Sequence, residues 1–103
     1  FIPSVIDRML RVPDAGSIAA MRFLESVLGR RCGGSTGTNL YGTCELIAEM
    51  HARGESGSVV SLICDGGERY QRTYYNDDWV RAEGLDLSPH HTRLSRFWSD
   101  GVW

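Results

Sequence analysis

The 103-residue chain contains no lysine, and its eleven basic residues are all arginine. Without a lysine amine, no residue of this chain can form a Schiff base with a carbonyl compound. The phosphate-binding motif GxxxxGK[ST] is excluded as well, because it needs a lysine to balance the phosphate charge. The net charge of −2 gives no basic surplus of the kind that nucleic-acid-binding surfaces show. We therefore expect no lysine chemistry from this chain by itself and no nucleic-acid partner.

The sequence also lacks the patterns of a membrane span and of a metal site. No apolar run approaches the roughly 20 residues that a membrane helix needs. Cys32, Cys44 and Cys64 form no CxxC pair, and the pair His90-His91 has no third ligand near it in the sequence. We predict no metal and no membrane partner. An odd number of cysteines without a secretory signal predicts reduced thiols and a cytoplasmic location. Since the first residue is not methionine, we also expect the chain to be part of a longer or processed protein.

Three amphipathic helices are predicted from apolar periodicity and from end signals. The first begins with Asp14 as its N-cap and stops at Gly29. The second follows a glycine-rich stretch and ends at Gly54. The third is short, with Asn76 as its N-cap and Gly84 after its last turn.

Strands are indicated at two places, weakly at residues 6–12 and strongly at residues 58–64, "SVVSLIC". An almost continuous apolar, β-branched run is typical of a strand buried on both faces of a parallel sheet. Helices and strands together indicate an α/β fold. Within such a fold Cys44 and Cys64 are predicted core residues. The chain offers too few strands to flank residues 58–64, so we expect a larger sheet outside these residues. Residues 85–103 show no clear period.

Two glycine-rich turns are the most specific local features, "CGGSTGTNLYG" at residues 32–42 and "DGG" at residues 65–67. Glycines before a helix often only allow a tight link and close helix packing. Alternatively, the free N–H groups of a helix N-terminus, with Ser35, Thr36 and Thr38 beside them, could receive the ring of a cofactor. Ligands in open α/β sheets bind beyond the carboxyl ends of strands, which is where the second turn would lie. Residue types alone leave both alternatives open.

The words "GGSTGTN", "GSVV" and "DGGERY…YYND" resemble the C-terminal part of the cysteine synthase and cystathionine β-synthase family. These are fold-type II pyridoxal-phosphate enzymes, and within the family the chain resembles bacterial cysteine synthase-like proteins, among them L-cysteine desulfhydrases. The resemblance covers residues 12–83. It implies a three-layer, mostly parallel sheet, with residues 1–84 forming the C-terminal part of the cofactor-binding domain. Residues 85–103 would then be a tail that packs on the domain or at a subunit interface.

The resemblance also implies a role for five residues. Ser35 matches the serine whose hydroxyl meets the pyridine nitrogen of the cofactor. Gly33 and Gly34 match the small residues beside that ring, and Cys64 with Asp65 lines the same wall. The Schiff-base lysine, the loop for the substrate carboxylate and the main phosphate loop belong to earlier parts of the family chain and have no match here. We therefore expect this segment by itself to be inactive.

The function implied is β-elimination or β-replacement on L-cysteine or an O-acylserine, by a homodimer that includes the remaining N-terminal part of the enzyme. A neutral serine hydroxyl leaves the ring nitrogen largely unprotonated, which favours prompt loss of a β-substituent over other fates of the substrate. The alternative is a non-catalytic α/β fragment or interaction module that keeps the serine–glycine turn for packing.

Several other polar and aromatic residues have simpler interpretations. His51 is predicted to be solvated on the polar face of its helix. Asp65 is expected to cap the segment that follows it, while Glu68 and Arg69 hold the turn. The remaining aromatic side chains are predicted to form a packing cluster: Tyr70, Tyr74, Tyr75 and Trp79, on which the tail residues Phe97, Trp98 and Trp103 could pack.

Overall fold

A computed structural model describes residues 8–103 of the chain. This part folds into four α-helices, α1 (Asp14–Leu28), α2 (Gly34–Ala52), α3 (Asp77–Ala82) and α4 (Ser88–Asp100). A single 3-10 turn, Glu68–Tyr70, lies between α2 and α3. In residues 8–103 no helix has the length and apolar character needed to cross a membrane.

Helix α1 begins and ends where the sequence signals predicted, within one residue. Pro13 is extended and occupies the N-cap position, so Asp14 lies in the first turn rather than at the cap itself. A carboxylate there is favoured by the positive end of the helix dipole. Gly29 adopts φ 74°, and its N–H donates to the carbonyl of Glu25 at 2.8 Å. The predicted glycine stop is therefore confirmed.

Helix α3 confirms the second set of local signals. The side chain of Asn76 accepts a hydrogen bond from the backbone N–H of Trp79 at 3.1 Å. Gly84 follows the helix with φ 73°, a conformation that glycine adopts without strain. The predicted N-cap and the predicted end of this short helix are both confirmed.

Helices α1 and α2 cross at very short range, and glycine makes the crossing possible. A Cβ placed on Gly37 would lie 2.3 Å from the carbonyl oxygen of Ser17 and 2.5 Å from Cγ of Met21. A Cβ on Gly16 would lie 3.1 Å from the ring of Tyr41. Side chains are therefore absent at this crossing because the two helices occupy the space themselves.

Helix α4 is missing from the sequence-based prediction, although Leu94, Phe97 and Trp98 share one helical face, Pro89 lies in the first turn and Gly101 follows the last turn. The helix packs on α1 and α2 and ends at Gly101 with φ 72°. Beyond it, the Trp103 ring lies 5.0 Å from the ring of Tyr41 and 5.5 Å from that of Phe97. The three helices share a core of buried side chains: Ala19, Ala20, Tyr41, Cys44 and Leu94. The prediction that Cys44 is a core residue is confirmed.

Residues 58–64 do not form a strand, and most of them are exposed to solvent. Most of their apolar side chains are exposed: Val60 (84%), Leu62 (68%) and Ile63 (49%). Cys64 is exposed too, so its prediction as a core residue is wrong. The physical reason is that no other strand within residues 8–103 runs alongside this segment. The β pairing found in the described part is one isolated antiparallel bridge, Cys32–Gly66, and the three-layer parallel sheet is not confirmed.

The other predicted strand, residues 6–12, lies partly outside the described residues. Residues 8–12 have no regular secondary structure and run along α2, where Arg8 forms an ion pair with Glu49. Between them and residues 60–62 lies a cavity of about 400 Å³ on the surface of α2. We call this cavity the α2 groove. Its apolar lining is Leu10, Val12, Leu46, Val60 and Leu62.

Candidate cofactor site

The two glycine-rich turns, far apart in the sequence, lie side by side. The N–H of Gly33 donates to the carbonyl of Asp65 at 3.2 Å. The N–H of Gly67 donates to the carbonyl of Arg31 at 3.1 Å. These two bonds form the isolated antiparallel bridge Cys32–Gly66. The structure therefore brings the predicted site residues of both turns together at the start of α2.

The glycines of the first turn have close neighbours within the chain. A Cβ on Gly33 would lie 1.9 Å from the Oδ1 atom of Asp65, and a Cβ on Gly34 would lie 3.1 Å from Cε2 of Tyr74. These contacts are of the kind that the packing alternative requires. The absence of side chains at these two positions is thus no sign of a ligand by itself.

The hydroxyl groups beside the glycines differ in what they contact. Thr36 is 2% exposed, and its Oγ1 accepts a hydrogen bond from the N–H of Cys64 at 3.0 Å. Thr38 donates its hydroxyl to the carbonyl of Gly34 at 3.1 Å. Ser35, in contrast, is exposed on the first turn of α2. Thr38 is exposed too, but its hydroxyl also lies 2.7 Å from that of Ser17, so Ser35 is the one of the three whose hydroxyl has no hydrogen bond within residues 8–103.

The electrostatics at this end of α2 favour an external polar group. The first-turn N–H groups of a helix lack intrahelical acceptors and carry a partial positive charge. Close by, the Oδ1 atom of Asp65 is buried and has no hydrogen-bond partner within residues 8–103. An unpaired buried acceptor is costly, so such an atom marks a place where a further donor would be stabilising. An exposed hydroxyl, bare helix N–H groups and an unpaired acceptor fit the edge of a heteroaromatic ring that carries polar substituents.

Asp65 does not cap the following segment, which corrects one sequence-based expectation. The 3-10 turn after it has Gly67 at its N-cap position and no side-chain cap. The carboxylate of Asp65 packs on Gly33 instead, because the backbone pairing of the two turns directs it there. Glu68 lies against its own turn, with Oε2 2.3 Å from where a Cβ on Gly66 would be.

The aromatic residues after the second turn form the predicted packing cluster except for Tyr75, but the tail tryptophans, which were expected to pack on it, pack on rings of α1 and α2 instead. The rings of Tyr70 and Tyr74 stack with centroids 5.0 Å apart, and Trp79 lies 5.6 Å from Tyr74. Tyr75 instead places its hydroxyl on the backbone of Cys32, which donates its N–H to it at 3.1 Å and accepts from it at 2.7 Å. Nothing in the sequence distinguishes Tyr75 from its neighbours, so this contact was missed.

Arg22 of α1 ties the aromatic cluster to the helices. Its guanidinium donates to the carbonyl of Tyr74 at 3.1 and 2.9 Å and forms an ion pair with Asp77. The hydrogen bond and the charge of Arg22 hold the pKa of Asp77 below its usual range. The start of α3 is thereby fixed against α1.

The histidines contribute to packing and to the surface. His51 is exposed, which confirms the prediction for it. His90 lies with Nδ1 2.9 Å from the hydroxyl of Tyr41, and the ring of His91 is edge-on to Phe23 at 6.5 Å. Across residues 8–103, no group of three or more His, Cys, Asp or Glu side chains is arranged to hold a metal ion.

Comparison with known proteins identifies one relative over the whole chain and others over about three quarters of it. The chain is 60% identical over all 103 residues to the L-cysteine desulfhydrase Cds1 of Mycobacterium tuberculosis, of which it covers 28%. It is 36% identical over 81 residues to a putative pyridoxal-phosphate dependent protein of Caenorhabditis elegans, of which it covers 18%. It is 33% identical over 80 residues to a putative cysteine synthase of Sinorhizobium fredii, of which it covers 23%. No family model and no solved structure matches the chain.

These relatives are an L-cysteine desulfhydrase, a putative pyridoxal-phosphate dependent protein and a putative cysteine synthase, and the chain is similar to a part of each. More closely, the chain corresponds to the C-terminal part of enzymes of the cysteine synthase and cystathionine β-synthase family, and it is similar to L-cysteine desulfhydrase. The resemblance carried by "GGSTGTN" and "DGGERY" is thereby confirmed. The chain spans less than a third of the length of these relatives.

Proposed function

We propose that this chain is the C-terminal segment of a pyridoxal-phosphate enzyme that removes or replaces the β-substituent of L-cysteine or an O-acylserine. The observation that supports this most strongly is the 60% identity to an L-cysteine desulfhydrase over all 103 residues of this chain. The identity to the putative cysteine synthase is 33%, so desulfhydration of L-cysteine is the preferred reaction. In that reaction L-cysteine and water give sulfide, pyruvate and ammonia.

When bound, pyridoxal phosphate withdraws electrons from the α-carbon of the amino acid and so allows the β-substituent to leave. The part of this chain is to hold one edge of the cofactor. Ser35 would donate its hydroxyl to the pyridine nitrogen, which then stays neutral. Gly33 and Gly34 would lie beside the ring, with Cys64 and Asp65 along the same wall.

Serine suits this role because of where α2 begins. A carboxylate at the position of Ser35 would favour a protonated ring nitrogen and a stronger electron sink, whereas a hydroxyl donates a hydrogen bond without supplying a proton. The partial positive charge of the helix N-terminus also disfavours a cationic ring beside it. The exposed hydroxyl of Ser35 and the unpaired Oδ1 atom of Asp65 are the features of this chain that support the assignment.

The rest of the enzyme would complete both the fold and the active site. It would supply strands beside residues 58–64, giving the three-layer sheet of fold-type II enzymes, and would cover the exposed Val60 and Leu62. It would also supply the Schiff-base lysine, since this chain has none. The segment by itself is therefore expected to be inactive. A homodimer and a cytoplasmic location remain predictions, the latter supported by the three unpaired thiols.

Substrate ranking with the full-length enzyme tests the proposal. The purified protein is given L-cysteine, and separately O-acetylserine plus sulfide, while sulfide, pyruvate and cysteine are measured. We expect a cofactor absorption band and release of sulfide and pyruvate in equal amounts from L-cysteine. The 103-residue segment, tested in parallel, is the inactive control. A full-length protein without the absorption band, or without turnover of either substrate, would favour the non-catalytic alternative.

A further inference from the structure

The hydroxyl of Tyr75 is hydrogen-bonded to both the backbone N–H and the backbone C=O of one residue, Cys32. The hydroxyl accepts the N–H of Cys32 at 3.1 Å and donates to the C=O of the same residue at 2.7 Å. Cys32 is fully buried, with 0% of its surface exposed. Its two backbone groups cannot turn to water if the hydroxyl is lost, so both would be left without a partner.

Cys32 lies just before the start of α2, so its contact with Tyr75 also affects the residues that begin the helix. Cys32 is followed directly by Gly33 and Gly34, the two residues with the greatest backbone freedom, and then by Ser35. If Cys32 were loosely held, the entry to the next helix would rest on the backbone bonds of Gly33 to Asp65 and of Gly67 to Arg31. The grip of Tyr75 on Cys32 supplies a fixed point two peptide units before the helix begins.

The ring of Tyr75 is itself held in place. The guanidinium of Arg31 lies 4.7 Å from its centroid, in a cation–π arrangement, and Arg31 is paired with Glu25 at 2.5 Å. Burial raises the pKa of Tyr75, so the hydroxyl keeps its proton and remains the donor to Cys32. Donor and acceptor roles at Cys32 are therefore constant over the pH range in which enzymes work.

We propose that Tyr75 is a positioning residue that orients Ser35 toward the cofactor by fixing the peptide groups of Cys32. The inference rests on the proposed function, because it takes Ser35 as the contact to the ring. Tyr75 itself lies behind the turn and touches neither cofactor nor substrate in this scheme. Its effect should therefore pass through Ser35 and be invisible when the hydroxyl of Ser35 is gone.

A double-mutant cycle in the full-length holoenzyme tests this inference. Tyr75→Phe removes the hydroxyl and keeps the ring on Arg31. We expect kcat for L-cysteine to fall about tenfold with little change in KM, and the cofactor absorption or fluorescence spectrum to shift, since two buried backbone groups lose their partner. In a Ser35→Ala background the same change should have no further effect on kcat or on the spectrum. Tyr70→Phe is the matched control, since it also removes one tyrosine hydroxyl and keeps a stacked ring, and it should leave both readouts unchanged.

The outcomes separate this inference from the proposed function. Suppose that Ser35→Ala alters the spectrum and kcat. If Tyr75→Phe then has no effect, or if its effect on kcat is as large in the Ser35→Ala background as in the wild type, the positioning role is wrong and the proposed function stands. A wild-type protein without a cofactor spectrum would overturn both. If Tyr75→Phe does not fold, Arg31→Met serves in its place, because it loosens the ring and leaves the hydroxyl. A smaller loss of the same kind, again absent in the Ser35→Ala background, is then expected.

Discussion

Replacing Gly37 with alanine tests the packing of α1 on α2, on which the position of the candidate site depends. The added Cβ would lie 2.3 Å from the carbonyl oxygen of Ser17 and 3.1 Å from the backbone nitrogen of Met21. Both are main-chain atoms, so neither can rotate away as a side-chain terminus would. The helices must separate by about an ångström to relieve the contact, since van der Waals contact needs roughly 3.5 Å.

The expected cost follows from two opposing terms. Overpacking in a well-packed core costs about 1–3 kcal/mol, and a rigid backbone contact belongs at the upper end. Alanine in a helix interior is favoured over glycine by about 1 kcal/mol. We therefore expect Gly37→Ala to lower the free energy of unfolding by about 2 kcal/mol. Since the site residues begin the same helix, kcat should fall as well.

Gly42→Ala is the matched control on the same helix. A Cβ there would meet its nearest neighbours, Val12 and Leu10, at 3.8 and 3.9 Å, which is ordinary contact. The helix-propensity gain should then raise the free energy of unfolding by about 0.5–1 kcal/mol. Urea unfolding of the two full-length variants measures the difference. Equal stability of the two variants would refute the account of this helix crossing.

Three further perturbations have expected outcomes. Asn76→Ala should lower the free energy of unfolding by about 1 kcal/mol, because the N-cap bond to Trp79 is lost; a change within error in urea unfolding would contradict this. Asp77→Asn should lower the free energy of unfolding at neutral pH, because the hydrogen bond and ion pair with Arg22 depend on the charged carboxylate. The difference from the wild type should disappear as the pH falls through the pKa of Asp77, which Arg22 lowers. An equal difference at pH 7 and at about pH 3 would count against this ion pair. The 103-residue segment expressed alone should self-associate or remain poorly folded, since the apolar side chains of residues 58–64 are uncovered; a monomer with a sharp cooperative melt would show this to be wrong.

Local signals in the sequence were sufficient for some elements. The ends of α1 and α3 could be predicted because Gly29 and Asn76 act on their own helix through a backbone conformation and a short-range hydrogen bond. Cys44 could be placed in the core because it shares one helical face with the apolar residues Leu40 and Ala48. Such features need no knowledge of distant parts of the chain.

Long-range contacts set the rest and could not be predicted. Helix α4 is an exception, because its signals are local: Leu94, Phe97 and Trp98 share one helical face, Pro89 lies in the first turn and Gly101 follows the last turn. Residues 58–64 have the composition of a buried strand, but a strand needs neighbours, and residues 8–103 supply none. The prediction of Cys64 as a core residue failed for the same reason.

The candidate site, too, could be predicted in part from local sequence patterns, whereas its long-range contacts could not. The sequence indicated that Ser35 and the two turns belong together, and the structure places the turns in contact. The sequence could not indicate that Asp65 and Tyr74 occupy the space beside Gly33 and Gly34 where a side chain would lie. These contacts join residues about 30 to 40 positions apart. The grip of Tyr75 on Cys32 is equally long-range.

The behaviour of Ser35 variants in the full-length holoenzyme tests the central claim most directly. Ser35→Ala should retain bound cofactor, since a Schiff-base lysine and a phosphate loop in the rest of the enzyme would hold it, but should lose kcat because the ring would no longer be oriented. Ser35→Asp should protonate the ring nitrogen and raise the proportion of transamination relative to pyruvate formation. Ser26→Ala, which removes an exposed hydroxyl from α1, is the control and should behave like the wild type. If both Ser35 variants keep the wild-type turnover and the wild-type product ratio, Ser35 does not contact the cofactor ring and the account of this site is wrong.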